Sequence, residues 1–352
     1  MSVALASPPD SVCILRLSAI GDVCHAVPVI RTLQSHWPDT QLTWIIGKTE
    51  ASLVGDIPGV EFIIFDKASG WRAYRELRKC MRGRRFDVLL NMQVSLRANI
   101  VSLFTPAGIR LGFDRARSKY YQPFITTHQI NGEPRVHVLD SFFQFLEALG
   151  IHERVLRWDI PIPEAAQTFC AQHLPEHQRI LVINPCANVR WRNWRNWNVE
   201  GYAGVADYAA TTYQLQPVLT GGPSPLEHEL GHAIEKRCKS RPINLIGRTN
   251  LKQLLAVLER ADVLIAPDTG PAHMATAVGT PVIGLYAATN PVRARPYLSQ
   301  AWVVDKYVEA VRAELGLDVE QAPWGTRVRR PDVMNRISVG DVTDRLDQLM
   351  AR

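Results

Sequence analysis

A chain of 352 residues is too long for one ordinary hydrophobic core and fits two domains. Hydrophobic residues make up 46% and charged residues 21%, a globular composition that excludes a long disordered tail. The 40 Lys+Arg against 34 Asp+Glu leave +6, a mild excess that excludes a nucleic-acid footprint and suits an acidic small molecule or a lipid head group.

The opening MSVALASPPDSV lacks the basic and apolar stretches of a leader, and no apolar run nears the ~18 residues that span a bilayer. A first strand is predicted at CILRL (13–17), followed by the turn SAIGD (18–22) and a helix to about His36. Gly21 permits a tight turn, and Asp22 then stands at a helix start beyond a strand's carboxyl end. There it either caps the helix or points a carboxylate outward to take a proton. His25, three residues on, reads as a supporting helix residue. Further strands are predicted at LTWII (42–46), EFIIF (61–65), DVLLN (87–91) and GIRLGF (108–113), with helices at 71–82 and 95–104 between them. This alternation predicts a doubly wound α/β sheet. Arg72, Arg75, Arg78, Lys79, Arg82, Arg84 and Arg85 form either a solvated basic face or one drawn to an anionic membrane or phosphorylated ligand. The loop holding Arg115, Arg117, Lys119, Tyr120 and Tyr121 either closes on a ligand or is simply solvated.

The helical pattern HVLDSFFQFLEALG (137–150) leads to the proline-punctuated connector DIPIP (159–163), and the domain boundary is placed near 165. RILVINP (179–185) restarts the strand-and-loop pattern, which predicts a second doubly wound domain over 166–330. The segment NVRWRNWRNW (188–197) interleaves Arg and Trp, a pattern able to stack on bases, but it is short and isolated. PVLTGGP (217–223) is a strand ending in a glycine turn, and NLIGRTN (244–250) a strand and turn. VLIA (263–266) reads as a buried strand, Thr269-Gly270-Pro271 as a helix start, Gly279 as its stop and PVIGLY (281–286) as the next strand. Two strands joined by one helix are parallel, and ligands bind at their carboxyl ends, where helix N-termini offer N–H groups to anions. Asp268, Thr269, Gly270 and His273 gather there. A final helix is predicted over 339–350 within a closing segment, 331–352.

Two segments carry a resemblance. DTGPAHMATAVGTPVIGLYAATNP resembles the donor-site signature of the ADP-heptose:lipopolysaccharide heptosyltransferases, and LRLSAIGDVCHAVPVIRTL resembles their amino-terminal motif. The resemblance implies a GT-B architecture: two Rossmann-like, doubly wound domains facing across a cleft, the closing helix packing back on the first. It implies inverting transfer of heptose from ADP-heptose to the Kdo region of the lipopolysaccharide inner core, without a metal or other cofactor. Asp22 would be the catalytic base. Asn188, Arg195, Glu227, Asp268, Thr269, Gly270 and His273 would bind the donor, and Arg16, Ser18, Gly21, Gln93 and Arg97 the acceptor. Arg192 and Arg195 open identical Arg-Asn-Trp triplets, so either fits the donor-phosphate place.

The six cysteines are scattered without a Cys-x-x-Cys pair, which predicts reduced thiols rather than a zinc site or disulfides. Taken together, a cytoplasmic protein is expected, peripheral at the inner membrane if it touches one. Its partners would be a nucleotide sugar and a lipid-linked anionic saccharide, with no nucleic acid. Three rivals are a heptosyltransferase acting on protein, a sugar-nucleotide epimerase of the same architecture and a non-enzymatic sugar-binding module. Asp22 and Asp268, two carboxylates at strand ends, favour chemistry over simple binding.

Overall fold

In the first half the apolar runs become β1 (Ser11–Leu15), β2 (Gln41–Gly47), β3 (Val60–Phe65), β4 (Phe86–Asn91), β5 (Ala107–Gly112) and β6 (His128–Gln129). They form one parallel sheet in the order β3-β2-β1-β4-β5-β6. The central β1 is buried from Val12 to Leu15, as a parallel strand covered on both faces must be. The coordinates are a computed structural model that describes residue 3, residues 5–187 and residues 193–351.

The second half repeats the plan. β7 (Ile180–Ile183), β8 (Gln216–Leu219), β9 (Ile243–Asn244), β10 (Val263–Pro267), β11 (Val282–Tyr286) and β12 (Val304–Asp305) form a parallel sheet ordered β12-β11-β10-β7-β8-β9. Counted from β7, this is the arrangement of the first sheet and the strand order of dinucleotide-binding folds. In each sheet the order reverses between the first strand and the fourth, at β1/β4 and at β7/β10. The chain divides into two compact units at Pro161/Ile162, inside the proline connector and short of the expected 165.

Three local expectations are corrected. β1 ends at Leu15, because the Arg16 carbonyl accepts from Trp44 Nε1 (3.1 Å) and its side chain turns away to the Met92 carbonyl. Gly21 makes no turn: it lies inside the helix Ile20–His36, without a positive φ. The closing helix Val339–Met350 belongs to the second unit. Val342 and Leu346 join that unit's core, and the Tyr208 and Tyr213 hydroxyls both donate to Asp347 Oδ1 at 2.8 Å. Gly279 does end its helix, with φ +80° just past Ala277.

Among the described residues no helix is long and apolar enough to cross a membrane, and no disulfide is formed. Since Leu346 is wholly buried in the second core, Leu346→Ala should destabilise the protein by about 2–5 kcal/mol. Urea denaturation checks this; a midpoint equal to wild type would remove the helix from the core.

Candidate functional site

In the first unit the predicted residues meet beyond β1 and β4. The helix Ile20–His36 starts after Ala19, so Asp22 is its third residue rather than its cap. One Asp22 oxygen accepts from the Ala19 N–H (3.4 Å) and forms a close ion pair with Arg16. The Asp22 side chain remains 32% accessible, while Arg16 is mostly enclosed, donating to the Met92 carbonyl and lying 5.1 Å over the Phe142 ring. Arg16 therefore grips Asp22 and the β4 loop, and its guanidinium is largely used within the protein. Gln93 works similarly: its Oε1 accepts from the N–H groups of Leu17 (2.6 Å) and Ser18 (3.3 Å), and its Nε2 donates to Ser18 Oγ (3.4 Å). The strand spacing brings these residues together across 75 positions of sequence.

Other first-unit expectations scatter. His25 is buried edge-to-face against His137, with ring centroids 5.1 Å apart, which suits a packing role. Exposed Arg97 lines a pocket with Lys67, Trp71 and Tyr74. Arg117 is tied into the fold by Asp114 and Ser141, whereas Tyr120 and Tyr121 are exposed and both take positive φ.

In the second unit the loops after β7 and β10 converge. Thr269 caps the helix Gly270–Ala277 by backbone only, and its buried hydroxyl has no partner among the described residues. His273 is buried one turn along. Arg195 reaches across from the β7 loop, donating through Nη1 to the Asp268 carbonyl (2.7 Å) and to Asp268 Oδ2 (3.3 Å). Asn196 closes that loop by accepting from the Ala187 N–H and from Asn193 Nδ2, both at 2.9 Å. Trp197 is a core residue, donating to the Ile337 carbonyl, so it is not free to stack on a base. Asn188 and Arg192 lie outside the described residues. Buried Asn184, at the end of β7, donates to the Thr220 carbonyl (2.9 Å), and its Oδ1 has no described partner.

Glu227 is buried as the third residue of the helix Pro225–Arg237. Its Oε1 accepts from the Gly222 N–H and its Oε2 from Ser224 Oγ, both at 2.7 Å, while Ser224 caps the helix. A Cβ at Gly222 would sit 2.9 Å from Glu227 Oε2, so a larger residue there would displace the carboxylate. Beside Asp268 stands a group of which the donor-site signature holds only Thr289 and Asn290. Thr289, Asn290, Arg293, Trp324 and Arg327 line a niche with it, because the 323–328 segment returns to the sheet edge long after β10. Only topology joins them; the nearest signal was the Asn-Pro at 290–291, a turn mark.

Paired Rossmann-like units with polar loops at both switch points are the parts of a GT-B architecture. The sequence matches the profile of glycosyltransferase family 9 (heptosyltransferase) over residues 74–315. It is 38% identical over 341 residues to the lipopolysaccharide core heptosyltransferase OpsX of Haemophilus influenzae, covering 97% of each chain. It is 26% identical to lipopolysaccharide heptosyltransferase 3 of Escherichia coli K12, covering 84% of this chain and 88% of that one. A family 9 glycosyltransferase from Veillonella parvula shares the fold with a TM-score of 0.77 at 23% identity, covering 97% of both chains. E. coli heptosyltransferase WaaC, solved with ADP, superposes with a TM-score of 0.70 at 17% identity, covering 97% of this chain and 98% of that one. The chain belongs to glycosyltransferase family 9, the heptosyltransferases.

Because Glu227 satisfies both Gly222 and Ser224, Glu227→Ala should destabilise the protein by about 0.5–2 kcal/mol, whereas Glu227→Gln should recover most of the loss. Thermal denaturation of the unliganded variants measures it; equal midpoints for Ala and wild type would leave Glu227 without a structural part.

Proposed function

We propose that this enzyme transfers heptose from ADP-heptose to a Kdo residue of the lipopolysaccharide inner core with inversion at the anomeric carbon. The observation that carries the reading is Asp22: an accessible carboxylate at a helix start beyond β1, fixed by Arg16 and the Ala19 amide. The lipopolysaccharide core as acceptor class follows the name of the Haemophilus relative, and the Kdo residue follows the family resemblance.

In the proposed step the acceptor hydroxyl oxygen attacks the anomeric carbon and its proton passes to Asp22. The bond from that carbon to the diphosphate oxygen breaks, and the electron pair departs with ADP. The first unit takes the acceptor, with Arg97 and Lys67 offering guanidinium and ammonium groups to its anionic substituents. The second unit takes the donor. Free N–H groups at the start of the helix Gly270–Ala277 and the Arg195 guanidinium meet the negative charge on the leaving diphosphate, a role that asks for no metal. Glu227 has lone pairs left for a sugar hydroxyl of the nucleotide. Exposed Arg72, Arg75, Arg78 and Lys79, beside an exposed Trp71, support attraction to an anionic inner-membrane surface from the cytoplasmic side, where a lipid-linked acceptor is met.

The assay is ADP release from ADP-heptose with and without a Kdo-bearing lipid acceptor. Release that ignores the acceptor would favour an epimerase or hydrolase instead. A positioned carboxylate contributes about 10²–10⁴-fold, so Asp22→Asn should cut turnover by at least ~100-fold while the ADP-induced rise in melting temperature persists. Near-normal turnover in that variant would sink the assignment. On the donor side, His273→Ala should shrink the ADP-induced rise measured from the variant's own unliganded midpoint; an undiminished rise would return His273 to the core.

A further inference from the structure

The niche beside Asp268 holds more positive charge than the protein itself neutralises. Asp268 is already engaged by Arg195. Arg293 and Arg327 line the same niche, and among the described residues neither guanidinium makes a hydrogen bond or ion pair. Three guanidinium groups thus share one carboxylate, an arrangement that mutual repulsion disfavours unless an anion joins it. Arg327 registers this environment: desolvation first, then Arg195, depress its pKa, with Asp268 opposing and Arg293 adding to the depression.

The segment that carries Arg327 is built to stay in place. Thr289 and Arg327 pair as an antiparallel bridge, and the Val328 N–H donates to the Ala288 carbonyl (2.9 Å). Tyr307 Oη donates to the Thr326 carbonyl (2.9 Å), and Val328 is wholly buried. Arg293 sits in the short helix Pro291–Ala294, whose Asn290 side chain caps it by accepting from the Val292 N–H (3.0 Å). The backbone that carries both arginines is therefore held near the carboxyl ends of β10 and β11 before any ligand arrives, which limits the chain ordering that binding requires.

We infer that Arg293 and Arg327 are diphosphate-binding residues, a cation pair that holds the two phosphates of the donor and meets the charge that gathers on ADP as it leaves. The inference rests on the donor reading above and deepens it. Arg195 divides its charge between Asp268 and the diphosphate, while the two unpaired guanidinium groups add charges that match the two of a sugar-linked diphosphate. Their influence grows through the reaction, because breaking the sugar–oxygen bond leaves one further negative charge on the diphosphate.

Isothermal titration of wild type, Arg293→Gln, Arg327→Gln and the double variant with ADP and with adenosine tests this. Each single change should weaken ADP binding by roughly 10- to 100-fold, the scale of a lost charge-assisted hydrogen bond. The double variant should lose more, and its ADP affinity should depend less steeply on ionic strength. Adenosine, which has no phosphate, should bind all four proteins alike, and no variant should melt below wild type when unliganded, since among the described residues neither guanidinium makes a hydrogen bond or ion pair and each removal relieves repulsion in the niche. Unchanged ADP affinity in the double variant overturns the inference. So does an equal loss for ADP and adenosine, which would mark a structural role. If wild type prefers another nucleoside diphosphate to ADP, the ADP-heptose reading fails, and the same variants titrated with that nucleotide decide the cation pair. A wild type that binds no nucleoside diphosphate overturns both.

Discussion

The reversal of strand order in each parallel sheet is the constraint on which both candidate half-sites depend. All strands of a sheet run one way, so every loop that follows a strand opens at the same edge. On one side of the reversal the chain winds to one face, and on the other side to the opposite face. The loops after β1 and β4, and after β7 and β10, therefore part and leave a crevice between them. Helices that begin there present unpaired N–H groups, and side chains placed there can leave the core without breaking a strand. Asp22, Gln93, Arg195, Asp268 and Thr269 all come from those four loops. Their gathering is a consequence of topology, and the polar residues could not be buried mid-strand without large desolvation penalties.

Each unit sets an arginine against a carboxylate at this edge, but the two pairs are built differently. Arg16 and Asp22 lie in one loop and helix start, six residues apart, so their pairing stiffens a local turn. Arg195 and Asp268 are 73 residues apart and join the loops on either side of the second reversal. Arg195 also donates to the Asp268 backbone carbonyl, so the link fixes the chain path into the helix Gly270–Ala277 as well as the carboxylate. At 18% and 14% side-chain accessibility this pair is shielded from the screening that weakens surface ion pairs.

Much of this was legible in the sequence because it is local. The apolar run at 263–266, the Thr-Gly-Pro helix start and Gly279 correspond to β10, the helix Gly270–Ala277 and its positive-φ stop. The restart at 179–185 marked the second sheet. What the sequence hid is non-local. β6 and β12 have two residues each, too few for any periodicity, and are strands only because a neighbour pairs with them. The closing helix shows an apolar face but not which core receives it, and Tyr208, Tyr213 and Asp347 decide that through contacts over 130 residues away. Arg293 and Arg327 belong to no local motif, and only the return of residues 323–328 to the sheet edge places them beside Asp268.

The structure also separates a side chain left accessible from side chains turned back onto the protein. Gly21 looked like a turn residue, yet it is helical and buried. Arg16 and Gln93 looked like ligand contacts, yet their polar groups are turned largely onto Met92, Asp22, Leu17 and Ser18. A base must meet a hydroxyl at hydrogen-bond distance and in one orientation, and an aspartate side chain left alone would sample several rotamers. Arg16, the Ala19 amide and the helix start remove that freedom, and Gln93 holds the loop from which Arg16 projects. Around β1 and β4 the predicted residues thus divide into the accessible carboxylate that the proposed reaction uses and the side chains of Arg16 and Gln93, which are turned back onto its loop, while Arg97 stands apart in its own pocket.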